Sequence, residues 1–252
     1  MFDLPALRER LKPWRLYWYP TLHSTSDRAA ELRRRGELFA PAVVLADEQT
    51  AGRGRGNNSW WSANGSLTVT FVLPTEPLIQ PHHLPLIAGL AARNAAAELT
   101  GDNGIQLKWP NDLLYDGRKL AGLLCERILE ADLIGIGLNV NLDLNRVPSE
   151  LRSRITSLSQ IRGSPLNMTE ALAALASHLR VSINRAMSEP FALFLREYDA
   201  HHALIGREVC VASTPGDAPV CGRCEGLDEI GRLLLRSGTQ VHHIISGQVS
   251  VR

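Results

Sequence analysis

Two short stretches of this 252-residue chain concentrate residue types that handle anions. The first is GRGRGNNSWW, residues 52–61, in which Gly52, Gly54 and Gly56 alternate with Arg53 and Arg55. Glycine admits positive φ and lets backbone approach a ligand closely, while guanidinium is a planar fork of donors matched to carboxylate and phosphate. The run reads as an anion-cradling loop, or as a flexible surface loop in an arginine-rich protein. It is not GxxxxGK[ST], and Asn57 stands where a GxGxxG pattern needs its third glycine, so kinase-like and dinucleotide-binding readings lose their main support.

The second stretch is KWPNDLLYDGRKLAGLLCE, residues 108–126. A strand ends at Lys108-Trp109, Pro110 bends the chain, Asn111-Asp112 begin a turn, and a second strand returns. The resulting hairpin carries Lys108, Asn111, Asp112 and Lys119 near its mouth, and Asp116-Gly117 is ordinary hairpin punctuation. Lys12, Lys108 and Lys119 are the only lysines among 27 basic residues. A lysine in so arginine-rich a chain marks a place for a compact point charge that guanidinium cannot replace.

The elements that must position these residues follow from periodicity. After a short proline-punctuated opening, SDRAAELRRRG predicts a helix with Ser24, Thr25 or Ser26 as N-cap and Gly36 at its end. PAVVLAD is a buried strand, EQTAGRGRGNNSWWSANG an aperiodic loop, and SLTVTFVL a second strand. A helix runs from His83 to Leu99. IQLKW, KLAGLLCERIL and DLIGIGLNVN are three further strands. Beyond a loop around SQIRGSP, Leu172, Leu175, Leu179 and Ile183 mark an amphipathic helix, and FALFLREYDAHH a last one. From about Leu204 helical spacing stops, and short strands parted by Gly-containing turns predict a small all-β barrel, dividing the chain into domains at 1–203 and 204–252.

Composition excludes several classes. Apolar residues are 44% and charged residues 21%, which is ordinary globular usage, and 27 basic against 26 acidic residues leave a net charge of +1. That balance makes neither DNA nor a membrane an obvious partner. The opening residues are charged where a signal peptide would be apolar, and four cysteines make no dense framework, so a reducing cytoplasm is expected. Cys221 and Cys224 have CxxC spacing without two further zinc ligands, and read as ordinary strand cysteines. The adjacent pairs His82-His83, His201-His202 and His242-His243 read as solvated or capping residues, and Trp14, Trp18 and Trp61 as core or rim packing.

The order GRGRGNNSW, KWPND, KLAGLL and GIGLNVN (135–141) resembles the biotin protein ligases. The likeness runs from about Tyr17 to the C-terminus and includes HSTS at 23–26, TSL at 156–158 and EGLDEIGRLLLRSG in the tail. It implies an α/β (α+β) fold, with a class II synthetase-like catalytic domain built on a mixed sheet and an SH3-like barrel after it. It implies biotin, ATP and Mg²⁺ as reactants and cofactor, with metal ligands unassigned. Ser24, Thr25, Gln49, Gly52, Arg53, Gly54, Arg55, Trp60, Lys119 and Gly122 fall at biotin-binding positions. Arg55, Trp60, Lys108, Asn111 and Asn139 fall at nucleotide positions, and Arg53, Arg55, Lys119 and Asp112 at the reacting centre.

The chain departs from the family pattern in three places. Asn57-Asn58 replace a Gly-Arg frequent in bacterial members, which removes a third loop arginine. Ser26 replaces a frequent Asn, and no tryptophan follows Trp109 to stack on adenine. About 20 residues precede the matched core, too few for the winged helix of repressor members, so the resemblance implies a ligase without DNA binding. Its partner would be the biotin carboxyl carrier domain of a carboxylase, with self-association into a homodimer left open. Asp112 either orients or deprotonates the incoming amine, or is an Asx-turn residue. A lipoate-type ligase of the same fold and a non-catalytic biotin or nucleotide sensor are the rival readings.

Overall fold

A computed structural model describes residues 2–62, 64–212 and 218–252. Helix α1 (Leu4–Arg10) is capped by Asp3, whose carboxylate accepts from the Ala6 amide. Strand β1 (Arg15–Leu22) leads to α2 (Thr25–Arg34), β2 (Ala42–Gln49) and β3 (Ser66–Pro74). Helix α3 (Leu84–Thr100) precedes β4 (Gln106–Lys108), β5 (Asp112–Tyr115), β6 (Arg118–Ile128) and β7 (Ala131–Asn139). A 3₁₀ turn (Leu144–Arg146) and the short helices α4 (Ser149–Arg152) and α5 (Leu158–Arg162) come next, then α6 (Met168–Ser188) and α7 (Phe191–Ala200). The tail is β8 (Glu208–Ala212), β9 (Val220–Leu227), β10 (Leu233–Ser237), β11 (Gln240–Ile244) and β12 (Gln248–Val251).

The first seven strands form one mixed sheet in the order β1-β2-β3-β7-β6-β5-β4, with β1 and β2 parallel and every other pair antiparallel. The last five form an antiparallel sheet in the order β11-β10-β9-β8-β12, with a bulge between Leu234 and Leu235 where β10 meets β9. Bulges bend and twist a strand, which suits a small curled sheet of the kind the sequence leads one to expect.

One face of the large sheet carries Val43, Leu45, Leu67, Val69, Phe71, Ile134, Ile136 and Leu138 against α3 and α6. Helix α3 is apolar on most of its surface, as its alanine-rich sequence dictates, because it lies between this sheet and α6. The opposite face is covered at one end by α2 through Ala29, Ala30 and Leu32. Alternation along β3 and β7 then puts Thr68, Thr70, Gly135 and Gly137 on that second face, beyond the N-terminus of α2.

Several expectations change. Asp112 begins β5 and not a turn: Asn111 is the turn residue, and β4, β5 and β6 make a three-stranded meander with Asp116-Gly117 as its second turn. The opening segment holds α1 and β1, and the SQIRGSP loop is in part α5. The loop expected at 48–65 starts two residues later, because Glu48 and Gln49 extend β2 in register with Thr21 and Leu22, and Ala63 within it lies outside the described residues. Cys221 is not an ordinary strand cysteine: it faces Cys210 across the β8–β9 ladder, and the two form a disulfide, while Cys125 and Cys224 are free. His83 stands at the N-cap position of α3, as one of the two readings has it, although its side chain makes no capping bond, and His202 is buried, not solvated. His83 stacks on Phe191 at 4.0 Å, and burial beside His82 pushes its pKa down to about 4. The His202 side chain is wholly buried beside Tyr198. Trp14 is core as expected, edge-on to Phe71 at 4.8 Å.

Phe71 is fully buried at the centre of this core. Phe71→Ala is expected to cost about 3–5 kcal/mol, read as a lowered denaturant midpoint with unchanged slope in urea unfolding.

Candidate active site

The glycine-arginine stretch is a small hairpin with its own hydrogen bonds. Gly52 O accepts from the Trp60 amide at 2.8 Å, Gly54 N donates to Asn58 O at 2.8 Å, and Arg53 bridges Ser59. Asn58 closes the turn through its backbone and side-chain nitrogens, both donating to Arg55 O at 3.2 and 2.9 Å. Gly56 in this turn has φ +60°, which a side chain would oppose. At the base of the hairpin, Ser62 Oγ donates to Gln49 O at 3.0 Å. Asn57-Asn58 therefore supply turn chemistry where the family pattern has Gly-Arg.

The hairpin lies over the second sheet face, and Trp60 holds it there. A Cβ built on Gly137 would overlap the indole, and one on Gly122 would come within 3.3 Å of it. The indole therefore rests on bare backbone of two adjacent strands, since Gly122 and Gly137 are register partners. Its Nε1 is buried without a hydrogen-bond partner. Such a donor is costly unless a ligand or water takes it.

Beside Trp60 sits the charged group. Lys119 Nζ lies 5.8 Å from the indole centroid and 2.7 Å from Asp112 Oδ1. Its backbone is fixed on both sides, with Lys119 N donating to Arg154 O at 2.8 Å and Thr156 N donating to Lys119 O at 3.0 Å. Asn139 is 2% exposed, and its amide donates to Thr156 O at 2.9 Å and Lys119 O at 3.4 Å. In this structure its donors hold the Lys119 segment in place. Lys108 stands opposite Asp112 across β4–β5, and burial lowers its pKa, opposed by Asp112 and reinforced by Lys119 and Arg154.

The two arginines are treated differently. Arg55 donates to Asn111 Oδ1 at 3.3 Å and to Gly247 O at 3.4 Å, and burial lowers its pKa. Both partners are neutral, so its charge is uncompensated at contact distance. Asn111 is itself tied to β6, its Nδ2 donating to Leu123 O at 2.7 Å. Arg53 instead meets Asp27 Oδ1 at 2.6 Å and Glu126 Oε1 at 2.7 Å.

A polar wall completes the site. Ser24 caps α2, accepting from the Asp27 amide at 3.3 Å. Gln49 Oε1 accepts from Thr25 N at 2.7 Å and Thr25 Oγ1 at 3.1 Å; Thr70 Oγ1 lies 2.9 Å from Thr25 Oγ1 and 3.1 Å from Ser26 Oγ. Ser24, Thr25 and Ser26 are each at most 5% exposed. Gly135 makes room here, because a Cβ there would meet Ser26 Oγ at 2.6 Å.

The structure thus brings together Thr25, Gln49, Gly52, Arg55, Trp60, Asn111, Asp112, Lys119 and Gly122, with Gly54 in the hairpin and Lys108 behind. Sequence reasoning missed Thr70, Gly135 and Gly137. Their signal was present, as polar or absent side chains at alternate positions of TVT and GIG in otherwise apolar strands. It also missed Asp27, Glu126 and Gly247, which carry no local signature.

Gly137→Ala is expected to dislodge Trp60 and loosen the hairpin while the sheet stays folded. Limited trypsin digestion checks this: cleavage after Arg53 and Arg55 should accelerate at least tenfold with little change in the circular dichroism spectrum.

The chain is similar to known proteins over nearly its whole length. The biotin/lipoate A/B protein ligase family matches residues 18–143, and the biotin protein ligase C terminal domain matches residues 204–252. The bifunctional ligase/repressor BirA of Bacillus subtilis is 30% identical over 255 residues, covering 98% of this chain and 77% of the relative. A biotin–[acetyl-CoA-carboxylase] ligase of Mycobacterium tuberculosis is 32% identical over 212 residues, covering 82% of this chain and 77% of the relative. The structure of a biotin protein ligase from Aquifex aeolicus in complex with biotin and ATP superposes with a TM-score of 0.84 at 29% identity, covering 94% of this chain and 98% of that one. Hairpin, meander, glycine floor and tail sheet occur together in a chain matched over nearly its whole length, and the chain belongs to the biotin protein ligase family.

Proposed function

We infer that the chain activates biotin with ATP to biotinyl-5′-AMP and transfers the biotinyl group to a lysine of a biotin carboxyl carrier domain. The observation that carries this reading is a set of cations, Arg55, Lys108 and Lys119, held at one end of a polar wall and glycine floor with Asp112 as the near carboxylate. A carboxylate oxygen attacks the α-phosphorus of ATP, pyrophosphate leaves, and a mixed anhydride forms. Two anions must meet, so the residues' task is to hold positive charge where negative charge gathers. Arg55 does this beside Asn111 and Lys119 beside Asp112. In the second step an uncharged lysine amine attacks the acyl carbon, AMP leaves, and the amine loses a proton. Asp112, half-covered beside Lys119, is placed to accept it, and no nucleophilic side chain is required.

The wall favours biotin over lipoate. A cyclic urea needs acceptors for two N–H groups and a donor for its carbonyl, and Thr25, Ser26, Gln49 and Thr70 supply both. A dithiolane would offer no hydrogen bond to the donor and acceptor capacity that these groups retain beyond their mutual contacts. A non-catalytic sensor is disfavoured by the cation set, which exceeds what retention of a single carboxylate requires.

Mg²⁺ fits this site as part of a nucleotide complex. Among the described residues no group of three or more His, Cys, Asp or Glu side chains could hold a metal, so the ion would be carried by the nucleotide's phosphates. The ion would offset charge on the leaving pyrophosphate. ATP and carrier domains are cytoplasmic reactants, so the reading puts the chain in the cytoplasm. No helix among the described residues is long and apolar enough to cross a membrane.

Biotin-dependent exchange of labelled pyrophosphate into ATP tests the assignment, and transfer of biotin to a carrier domain tests its second half. Exchange with lipoate alone, or tight biotin binding without exchange, would overturn it. Lys119→Ala is expected to lower biotin affinity and adenylation rate ten- to a hundredfold, the loss of a charge-assisted contact of about 1.5–3 kcal/mol. Arg55→Gly is expected to form adenylate yet release it faster. Escaped anhydride should then label lysines of a bystander protein, measured by streptavidin blotting.

A further inference from the structure

The hairpin's two arginines carry the same charge two residues apart, yet their surroundings differ in sign. Arg55 meets two neutral oxygens, Asn111 Oδ1 and Gly247 O. Arg53 is spanned by two carboxylates: Nη1 donates to Asp27 Oδ1 at 2.6 Å and Glu126 Oε2 at 3.3 Å, and Nη2 to Glu126 Oε1 at 2.7 Å. One guanidinium between two carboxylates leaves a local charge of about −1, which repels a second anion. An anionic ligand approaching the Arg53 guanidinium would meet both acids, which already occupy Nη1 and Nη2.

The three partners also come from three different walls of the site. Asp27 is in the first turn of α2, next to the Thr25 and Ser26 hydroxyls, and a carboxylate is favoured at that helix terminus. Glu126 is on β6, on the strand that supplies Lys119 and Gly122. Arg53 itself sits in the hairpin, bridged to Ser59. Arg55 reaches the same strand through Asn111, which bonds to Leu123. Leu123 and Glu126 are three residues apart, roughly 10 Å along an extended strand, so the two arginines grip β6 at separate points.

Resting on the ligase reading above, we propose that Arg53 is a positioning residue: its guanidinium, bound by Asp27 and Glu126, fastens the hairpin to α2 and β6 while Arg55 alone of the pair faces the ligand's anion. Arg53 then retains the adenylate indirectly, by holding the hairpin over it, and its two acids support retention although they carry the wrong charge to touch the ligand.

That last point gives opposite signs for the two roles. The variants are Asp27→Asn, Glu126→Gln, Arg53→Met, Arg53→Lys and Arg53→Met combined with Glu126→Gln. The readouts are the release rate of preformed biotinyl-5′-AMP, KM for biotin and kcat of exchange, with thermal melts as a check on folding. If Arg53 is a fastening, Glu126→Gln and Arg53→Met each speed release, by about three- to tenfold, with kcat changed less than twofold. The double variant should be no worse than Arg53→Met, because the partners act as one unit. Arg53→Lys should recover part of the loss, since one ammonium can meet one acid but cannot span both.

If the Arg53 guanidinium instead binds the ligand, neutralising Glu126 or Asp27 frees it, and release slows or stays unchanged while Arg53→Met still speeds it. That result, or additive effects in the double variant, overturns the proposal. Should Asp27→Asn unfold the N-terminus of α2, the near-isosteric Glu126→Gln decides alone. Failure of the unsubstituted protein to exchange pyrophosphate would count against the ligase reading and not against the fastening.

Discussion

An indole lying on bare backbone is the contact on which the site depends. Trp60 can rest on the sheet only because Gly122 and Gly137, side by side on β6 and β7, have no Cβ to hold it off. That contact brings the end of the hairpin down, sets Lys119 against the ring, and leaves Arg53 and Arg55 reaching in different directions along β6. Glycines weaken strand interiors, and here that weakness is accepted in the middle of a seven-stranded sheet. The opposite face of the same strands carries Ile134, Ile136 and Leu138 in the main core, which keeps the sheet intact under a side-chain-free patch.

Charge is distributed with the same economy. Where the hairpin must be held, opposite charges meet at 2.6–2.7 Å and cancel. Elsewhere in the site, Arg55 and Lys108 are left with burial lowering their pKa values and no ion pair within contact distance among the described residues. Burial of uncompensated cations destabilises the free protein, and a ligand of opposite charge removes that penalty on binding. Asp112 lies among Lys108 and Lys119 and moderates them without cancelling both.

Much of this was legible from residue types. Positive-φ turns, alternating apolar strands and the amphipathic α6 carry local signatures, and those segments were read with their boundaries close to place. The failures have physical causes. The opening segment carries a weak signal because Pro5 sits in the first turn of a single short helix, Pro13 follows just after it, and β1 is half-exposed with no clean alternation. Asp112 looked like turn chemistry, but its turn is supplied by the cis Trp109–Pro110 step and Asn111, and Asp112 already pairs with Lys108. The Cys210–Cys221 link depends on the β8–β9 register, which spacing alone does not reveal. The acids that bind Arg53 are 26 and 73 residues away, beyond the reach of any motif.

The carbonyl of Gly247 that meets Arg55 lies 192 residues further along the chain. It is set there by the turn into β12, which pairs with β8, so that contact needs the tail sheet assembled and docked. During synthesis the large sheet, with its hairpin and lysines, emerges from the ribosome well before this last strand. A nascent chain can therefore own the residues that bind an activated acid while lacking one of the two groups that hold Arg55. On the function proposed above, competence to retain a reactive anhydride would arrive with the final strand, and the order in which the polypeptide is made would guard against leaking that anhydride from unfinished molecules.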